Sequence, residues 1–164
     1  GVENAVGQSS TLIGIGWYNH TVPARYAHLL GGRDGTFMHS NTPGAAVRFA
    51  ANVPVDGMYE ILLSKPANVY ELTRVVEYWN GHSLSHNVTV EVQQGSSVEC
   101  TSMNFSQHDP IDVNKQWALA HRLYLFAGAV NITFRMEDGE QGIRTLAVDA
   151  LWIRPDPTGR YVIE

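Results

Sequence analysis

The clearest pattern of apolar and polar positions lies between residues 116 and 136. In its second half, apolar side chains occupy every second position, at Val130, Ile132, Phe134 and Met136. In its first half, a less regular alternation sets Leu119, His121, Leu123 and Leu125 against Ala118, Arg122, Tyr124 and Phe126. Strand side chains point alternately to opposite faces, so each half predicts a β-strand. Gly128 lies in the small-residue segment between them, which indicates a hairpin.

Further strands are predicted on both sides of this hairpin. Alternation over 45–52 and 59–64, with a turn at 54–57, indicates a second hairpin. The other predicted strands are 73–79, 88–92, 98–105 and 146–153. The last is apolar on both faces except at Asp149, which predicts a central, covered strand. Residues 1–10 are expected to be a loose lead-in, 12–18 a short edge strand running into a loop, and 36–43 a loop.

These elements indicate the fold class. Eight or nine strands with glycine-bearing turns and no convincing helix predict an all-β fold, an antiparallel β-sandwich or jelly roll. The 164 residues form one predicted domain, 1–164, which is long enough to bury a core without disulfides. The chain begins Gly-Val-Glu-Asn, without an initiator methionine or a signal peptide, so we expect a domain excised from a larger protein.

Charge and cysteine content narrow the function. The net charge is −5 and there is no basic run, which argues against nucleic acid or an anionic membrane as partner. No apolar stretch approaches the roughly 20 residues of a membrane span. The single cysteine, Cys100, excludes an internal disulfide and is predicted to be a half-buried, inert thiol.

No catalytic motif stands out, and the chain is predicted not to be an enzyme. The seven histidines lack the spacing of a zinc site. A structural calcium ion is the one possible cofactor. Its candidate ligands are Asp34 and Asp149, with Asp56 and Asp138 as further candidates. The alternative for each of these residues is a solvated turn residue. For Asp149 a structural bond, to backbone amides or to Arg144, is favoured over a metal-binding or catalytic role.

Aromatic residues suggest a sugar-binding surface, because a pyranose ring has an apolar C–H face that stacks on an aromatic ring. A glycine-flanked loop concentrates such residues with polar neighbours. The candidate carbohydrate-binding residues are Trp17, Tyr18, His20, Arg25, Tyr26 and, at a predicted strand end, Trp79. The alternative for the loop is a plug that caps one end of the sandwich. Trp117 and Trp152 follow the strand alternation and are predicted to be core residues.

Four motifs resemble the golvesin-like domain of secreted bacterial enzymes such as xanthan lyase. They are Pro54-Val-Asp-Gly-Met-Tyr-Glu-Ile, Val88-Thr-Val-Glu-Val-Gln-Gln, Trp117-Ala-Leu with Phe126-Ala-Gly and Val130-Asn-Ile, and Val148-Asp-Ala-Leu-Trp-Ile. The resemblance covers residues 45 to 153. It departs from the family at Val148, where alanine is usual, and in the long segment 96–114.

The resemblance implies a galactose-binding-like β-sandwich, an extracellular location and an accessory role; it assigns no binding residue. Together with the aromatic loop, it predicts a non-catalytic module that binds a polysaccharide or glycan within a secreted or surface protein. One alternative is a structural domain that packs on a neighbouring catalytic domain without binding sugar. Another is a small hydrolase with an unfamiliar site.

Overall fold

The structure is a computed structural model, which describes residues 6–14, 17–21, 36–40, 42–64, 83–105, 117–137, 144–148 and 150–156. These residues form strands and turns and contain no helix, as the sequence predicts. The strands are β1 (Val6–Ile13), β2 (Trp17–Thr21), β3 (Thr36–Ser40), β4 (Ala46–Val53), β5 (Gly57–Ser64), β6 (Ser83–Leu84), β7 (Val88–Gln94), β8 (Ser97–Met103), β9 (Trp117–Leu125), β10 (Gly128–Met136), β11 (Arg144–Val148) and β12 (Leu151–Pro155). No helix in these ranges is long and apolar enough to cross a membrane.

The strands form a sandwich whose main layer is a five-stranded sheet. Its order is β1-β4-β10-β7-β8, and all its neighbours are antiparallel. A three-stranded antiparallel sheet has the order β12-β5-β9, and a four-stranded sheet has the order β2-β3-β11-β6. Only the short pairing of β6 with β11 is parallel within the described part of the chain. The predicted antiparallel β-sandwich is therefore confirmed.

The core lies on the inner face of the five-stranded sheet, where the alternating apolar residues meet in register. Phe134 lies opposite Val47 on one side and Val90 on the other, and Ile132 lies between Phe49 and Val92. The rings of Phe49 and Phe134 meet edge-on with their centroids 6.1 Å apart. Burial of each such side chain contributes about 1.5–3 kcal/mol, so these rows are the main stabilising feature of the sheet.

The three-stranded sheet covers this core with its own apolar row. Its inward residues are Tyr59, Ile61, Leu63, Leu123, Leu125, Leu151 and Ile153, all buried in the same cluster. A register shift between Ile61 and Leu62 interrupts the pairing of β5 with β9, which explains the imperfect alternation in the sequence of β9. The Tyr59 hydroxyl donates a 2.6 Å hydrogen bond to the Val55 carbonyl and fastens the β4–β5 turn.

Three sequence predictions about element bounds are wrong. Residues 6–10 belong to β1 and residues 36–40 to β3, although the sequence of β1 has no apolar alternation. Both strands are held by backbone pairing, β1 to β4 and β3 to β2 and β11. The predicted strand 146–153 is two strands, because β11 joins one sheet and β12 another. The chain changes sheet at Ala150, whose carbonyl accepts a 2.7 Å bond from the Ser64 amide.

Two predictions about single side chains have different outcomes. Trp117 is buried as expected, while Trp152 is only half-buried; their rings meet edge-on at 5.4 Å. Cys100 is exposed rather than half-buried. It belongs to β8, an edge strand of the five-stranded sheet, and it shares its face with residues that alternate away from the core.

A buried carboxylate joins the three strands of the smaller sheet. Glu60 is 1% exposed and lies in register between Arg122 on β9 and Arg154 on β12. One carboxylate oxygen accepts from Arg154 Nε at 2.8 Å, and the other accepts from Arg122 at 2.9 and 2.8 Å. Asp156 lies 3.8 Å from Arg122 Nε. The two guanidinium groups thus compensate a charge that would be costly to bury alone.

We predict that Glu60→Gln lowers the free energy of unfolding by about 1–3 kcal/mol, because the three charge-assisted contacts become weaker and both arginines lose their counter-charge. The loss should stay below the usual cost of breaking a fully buried pair, since Arg122 is 50% exposed and regains water. Urea unfolding followed by tryptophan fluorescence measures this change. Glu137→Gln, at an exposed position, is the control and should shift stability by less than about 0.5 kcal/mol. Equal effects of the two substitutions would contradict a structural role for Glu60.

Candidate functional site

Two aromatic rings stand exposed at one end of the sandwich. Tyr124 near the end of β9 is 39% exposed, and Phe126 in the β9–β10 turn is 60% exposed. The rings meet edge-on with centroids 5.3 Å apart, so each restrains the other. Exposed rings in contact form an apolar platform that water solvates poorly, which makes this pair a candidate ligand surface.

The platform borders a groove where the inner face of β8 lacks the apolar row of its neighbours. Pairing with β7 puts Ser97, Glu99 and Thr101 opposite Gln94, Val92 and Val90, on the core side of the sheet. Ser97 and Glu99 are nevertheless exposed. The resulting edge groove has a volume of about 80 Å³ and is lined by Val92, Gln94, Ser97, Glu99, Leu123, Tyr124, Leu125 and Phe126.

A histidine and a glutamate link the two sheets beside this groove. His121 projects from the inner face of β9, and its Nε2 lies 3.1 Å from Glu99 Oε1 on β8. The Glu99 side chain is 56% exposed and contacts the imidazole through Oε1, whereas His121 is 20% exposed. The pair therefore closes the edge of the sandwich and still leaves a carboxylate that can accept hydrogen bonds from a ligand.

Two side chains from other hairpins fix the turn that carries Phe126. The Gln94 amide accepts from the Phe126 backbone N–H at 3.0 Å and donates to the Phe126 carbonyl at 2.7 Å. Asp56, in the β4–β5 turn, accepts from the Ala127 N–H at 2.7 Å. Three hairpins thus converge at this end of the sandwich, and the Phe126 ring is presented from an anchored backbone.

Glycine is required in two of the turns around the groove. Gly95 begins the two-residue β7–β8 turn with φ +57°, and Gly128 follows the β9–β10 turn with φ +123°. Other L-residues adopt these angles only with strain. A Cβ atom would meet nothing within 4 Å at either position, so the requirement comes from the backbone and not from crowding.

The structure describes only some of the sequence-predicted sugar-binding residues. Trp17 is half-buried against the core, and its indole N–H donates to the Ile13 carbonyl at 3.0 Å. Tyr18 and His20 belong to β2, paired with β3, and nothing is described of their side chains. The remaining candidates, Arg25, Tyr26 and Trp79, lie outside the described residues. Binding by this cluster stays a prediction.

The candidate metal ligands are likewise untested. Asp34, Asp138 and Asp149 lie outside the described residues, and the Asp56 carboxylate is engaged with the Ala127 amide. Within the described residues, no group of three or more His, Cys, Asp or Glu side chains could hold a metal ion. Calcium binding therefore remains a prediction that concerns the rest of the chain.

Sequence reasoning did not single out Tyr124 and Phe126, although a signal was present. Both aromatic residues share the row of Arg122, opposite the row that carries Leu123 and Leu125. An aromatic residue on the polar row of an amphipathic strand is expected to be exposed. The groove itself required the register between β7 and β8, which hydrophobic periodicity does not supply.

Comparisons with known proteins agree on the fold. No protein-family model matches the chain, and no curated protein matches it. Among solved structures, a Paenibacillus xanthan lyase aligns over 95% of this chain at 19% identity with a TM-score of 0.62, although the chain spans only 13% of that enzyme. The family 35 carbohydrate-binding module of Clostridium thermocellum aligns over 91% of this chain and 98% of the module, at 16% identity and a TM-score of 0.51. At these identities the likeness shows the β-sandwich fold.

We predict that Gln94→Ala loosens the β9–β10 turn without unfolding the sandwich. Loss of the Gln94 bonds should speed hydrogen exchange of the Phe126 amide at least about tenfold, which equals about 1.4 kcal/mol of local opening free energy. Two-dimensional NMR measures the exchange rate of each amide. The amide of Ile132 in the core should exchange at an unchanged rate. Gln93→Ala is the matched control, because that neighbouring side chain is exposed and belongs to the opposite row of β7. Unchanged exchange at Phe126 in the Gln94 variant would contradict the anchoring role.

Proposed function

We propose that this chain is a non-catalytic carbohydrate-binding module of a larger secreted or surface protein that acts on polysaccharides. The observation that carries the proposal is the exposed pair Tyr124 and Phe126 beside the polar rim of the edge groove. Likeness in fold to a family 35 carbohydrate-binding module, over nearly that module's whole length, supports it. The golvesin-like motifs and the fold shared with part of a xanthan lyase support an accessory position in such a protein.

The groove has the two kinds of group that sugar recognition needs. The aromatic pair offers an apolar surface for the C–H face of a pyranose ring. Glu99 and Ser97 lie on the same inner face of β8 and take sugar hydroxyls, the carboxylate as an acceptor and the serine as donor or acceptor. Because Phe126 is held by an anchored turn, little conformational entropy is lost when a ring stacks on it.

The partners of three described carboxylates, Glu99 in the groove, Asp56 in the β4–β5 turn and Glu60 on the smaller sheet, support a binding role over catalysis. Glycoside hydrolysis uses two carboxyl groups that flank the scissile bond. Glu99 faces His121, Asp56 accepts from a backbone amide, and Glu60 is enclosed by two arginines on the smaller sheet. Each of these three therefore has a structural partner, which is consistent with a module whose chemistry resides elsewhere in the parent protein.

A calcium ion remains part of the proposal as a structural cofactor. Its candidate ligands, Asp34 and Asp149, come from the sequence alone. Removing calcium with a chelator should then lower the melting temperature of the module. A melting curve that is unchanged by chelator after dialysis would remove the ion from the proposal and leave sugar binding to be judged separately.

We predict that Phe126→Ala weakens binding to a soluble polysaccharide about tenfold, equivalent to about 1.4 kcal/mol, because one stacking surface is lost. Tyr124→Ala should act in the same direction. Affinity electrophoresis against β-glucans, mannans, xylans and galactans measures the retardation of each variant. Stability should change by less than about 0.5 kcal/mol for Phe126→Ala, since that ring is mostly exposed.

Val98→Ala is the matched control for these variants. Val98 is 53% exposed on β8, the strand that carries Ser97 and Glu99, yet it belongs to the opposite row of that strand. It should leave retardation unchanged. If a polysaccharide retards the unmodified protein and both aromatic variants equally, the binding site is not the groove, and the loop around Trp17 becomes the candidate. No retardation by any polymer would overturn the proposal in favour of a domain that packs on a neighbour.

A further inference from the structure

We infer that the edge groove takes an internal stretch of an uncharged polysaccharide and discriminates against acidic ones. This inference rests on the proposed sugar-binding role of the groove and adds the charge class and the binding mode of the ligand. It depends on the shape of the groove, on the charges that line it and on which of its polar groups are free to bind.

The groove is too shallow to enclose a sugar residue. Its volume is about 80 Å³, whereas pockets that bury a small ligand usually measure about 300–1,000 Å³. A ligand must therefore lie along the groove, supported by the rings of Tyr124 and Phe126 on one side. In this binding mode a chain presents one face to the groove, and contact requires neither chain end.

The described residues that line the groove bring one acidic side chain and no basic one. Glu99 is the carboxylate among them, and these described residues include no lysine or arginine. With neutral His121 the pair carries one negative charge, and with protonated His121 it carries none. A uronate or sulfate group would meet a like charge or an already compensated one, and none of the described lining residues offers a guanidinium to bind it.

The arginine next to His121 in sequence does not change this interpretation. Arg122 is adjacent in sequence to His121, but its side chain belongs to the opposite row of β9 and binds Glu60. Its guanidinium also lies 3.8 Å from Asp156 Oδ2. Two carboxylates thus engage this cation, and Arg122 is not among the described residues that line the groove.

The free polar groups of the groove are suited to hydroxyl donors. Both polar atoms of the Gln94 amide are bound to the backbone of Phe126. The second Glu99 oxygen remains as an acceptor, and an ionised carboxylate only accepts hydrogen bonds. Sugar hydroxyls donate to such a group, whereas a sugar carboxylate has no proton to donate at neutral pH. The acceptor at Glu99 and its charge therefore favour the same ligand class, while the Ser97 hydroxyl, which donates as well as accepts, does not distinguish between the two classes.

The test compares polymers that share a backbone and differ in charge. Hydroxyethyl cellulose is compared with carboxymethyl cellulose, and konjac glucomannan with its carboxymethylated form, each pair matched in chain length. The unmodified protein should bind the neutral member of a pair at least about fivefold more tightly at low salt, and the difference should shrink at ~1 M salt, where charges are screened. Competing hexose monomers should displace the polymer only weakly.

Glu99→Gln separates charge from shape. The substitution removes the charge and weakens the acceptor for every polymer, so the readout is the ratio of affinities for the carboxymethylated and the neutral member of each pair. That ratio should rise at least about threefold, whatever loss the neutral polymers show. Glu91→Gln is the matched control. It removes the same charge from the opposite row of β7, so it should not change the binding of the neutral or of the carboxymethylated polymers.

The outcomes distinguish this inference from the function on which it rests. Equal or tighter binding of the carboxymethylated polymers by the unmodified protein would overturn the inference and leave carbohydrate binding intact. A preference for neutral polymers that persists at high salt and in Glu99→Gln would also overturn it, since the cause would be the bulk of the substituent. No binding to any member of either pair, or to the wider panel, would remove the proposed function itself.

Discussion

The structure depends first on covering the inner face of one five-stranded sheet. Strands β4, β10 and β7 supply three rows of apolar side chains in register, and the three-stranded sheet buries them. The fourth pairing, of β7 with β8, keeps the same backbone alternation but replaces the apolar row with Ser97, Glu99 and Thr101. Burial is therefore complete at the centre of the sheet and fails at this edge. The edge groove is the direct consequence of that failure.

Two carboxylates lie at the two faces of the smaller sheet in opposite environments, one buried and one exposed. On one face, Glu60 is buried and receives two arginine partners from the neighbouring strands, which fixes the relative positions of β5, β9 and β12. On the other, His121 reaches across to Glu99, whose carboxylate remains half open to solvent. A buried and doubly compensated carboxylate stabilises a fold, whereas a partly exposed one with a single neighbour retains capacity for a ligand. The same residue type thus serves structure at one position and recognition at the other.

The sequence predicted the fold class well because the core strands carry a period-two pattern that needs no tertiary information. It failed where backbone pairing replaces side-chain patterning: β1 is mostly polar, and the chain changes sheet at Ala150, where Asp149 alone interrupts an apolar run. It also missed the groove, because the exposure of Glu99 depends on which strand covers β8 and not on its neighbours in sequence. The aromatic residues Tyr124 and Phe126 were within reach of sequence reasoning, since both occupy the polar row of their strand.

The position of the groove explains why a binding surface is compatible with a stable sandwich. Its rings and polar groups lie on turns and on an edge strand, so they contribute little to the core formed by Phe49, Ile132 and Phe134. Rigidity comes instead from Gln94 and Asp56, which tie the Phe126 turn to two other hairpins. Changes in the exposed side chains can therefore alter the ligand while the anchoring bonds and the core keep the geometry. A surface organised in this way separates the residues that choose a ligand from the residues that hold the fold, and this separation allows one β-sandwich to support different specificities.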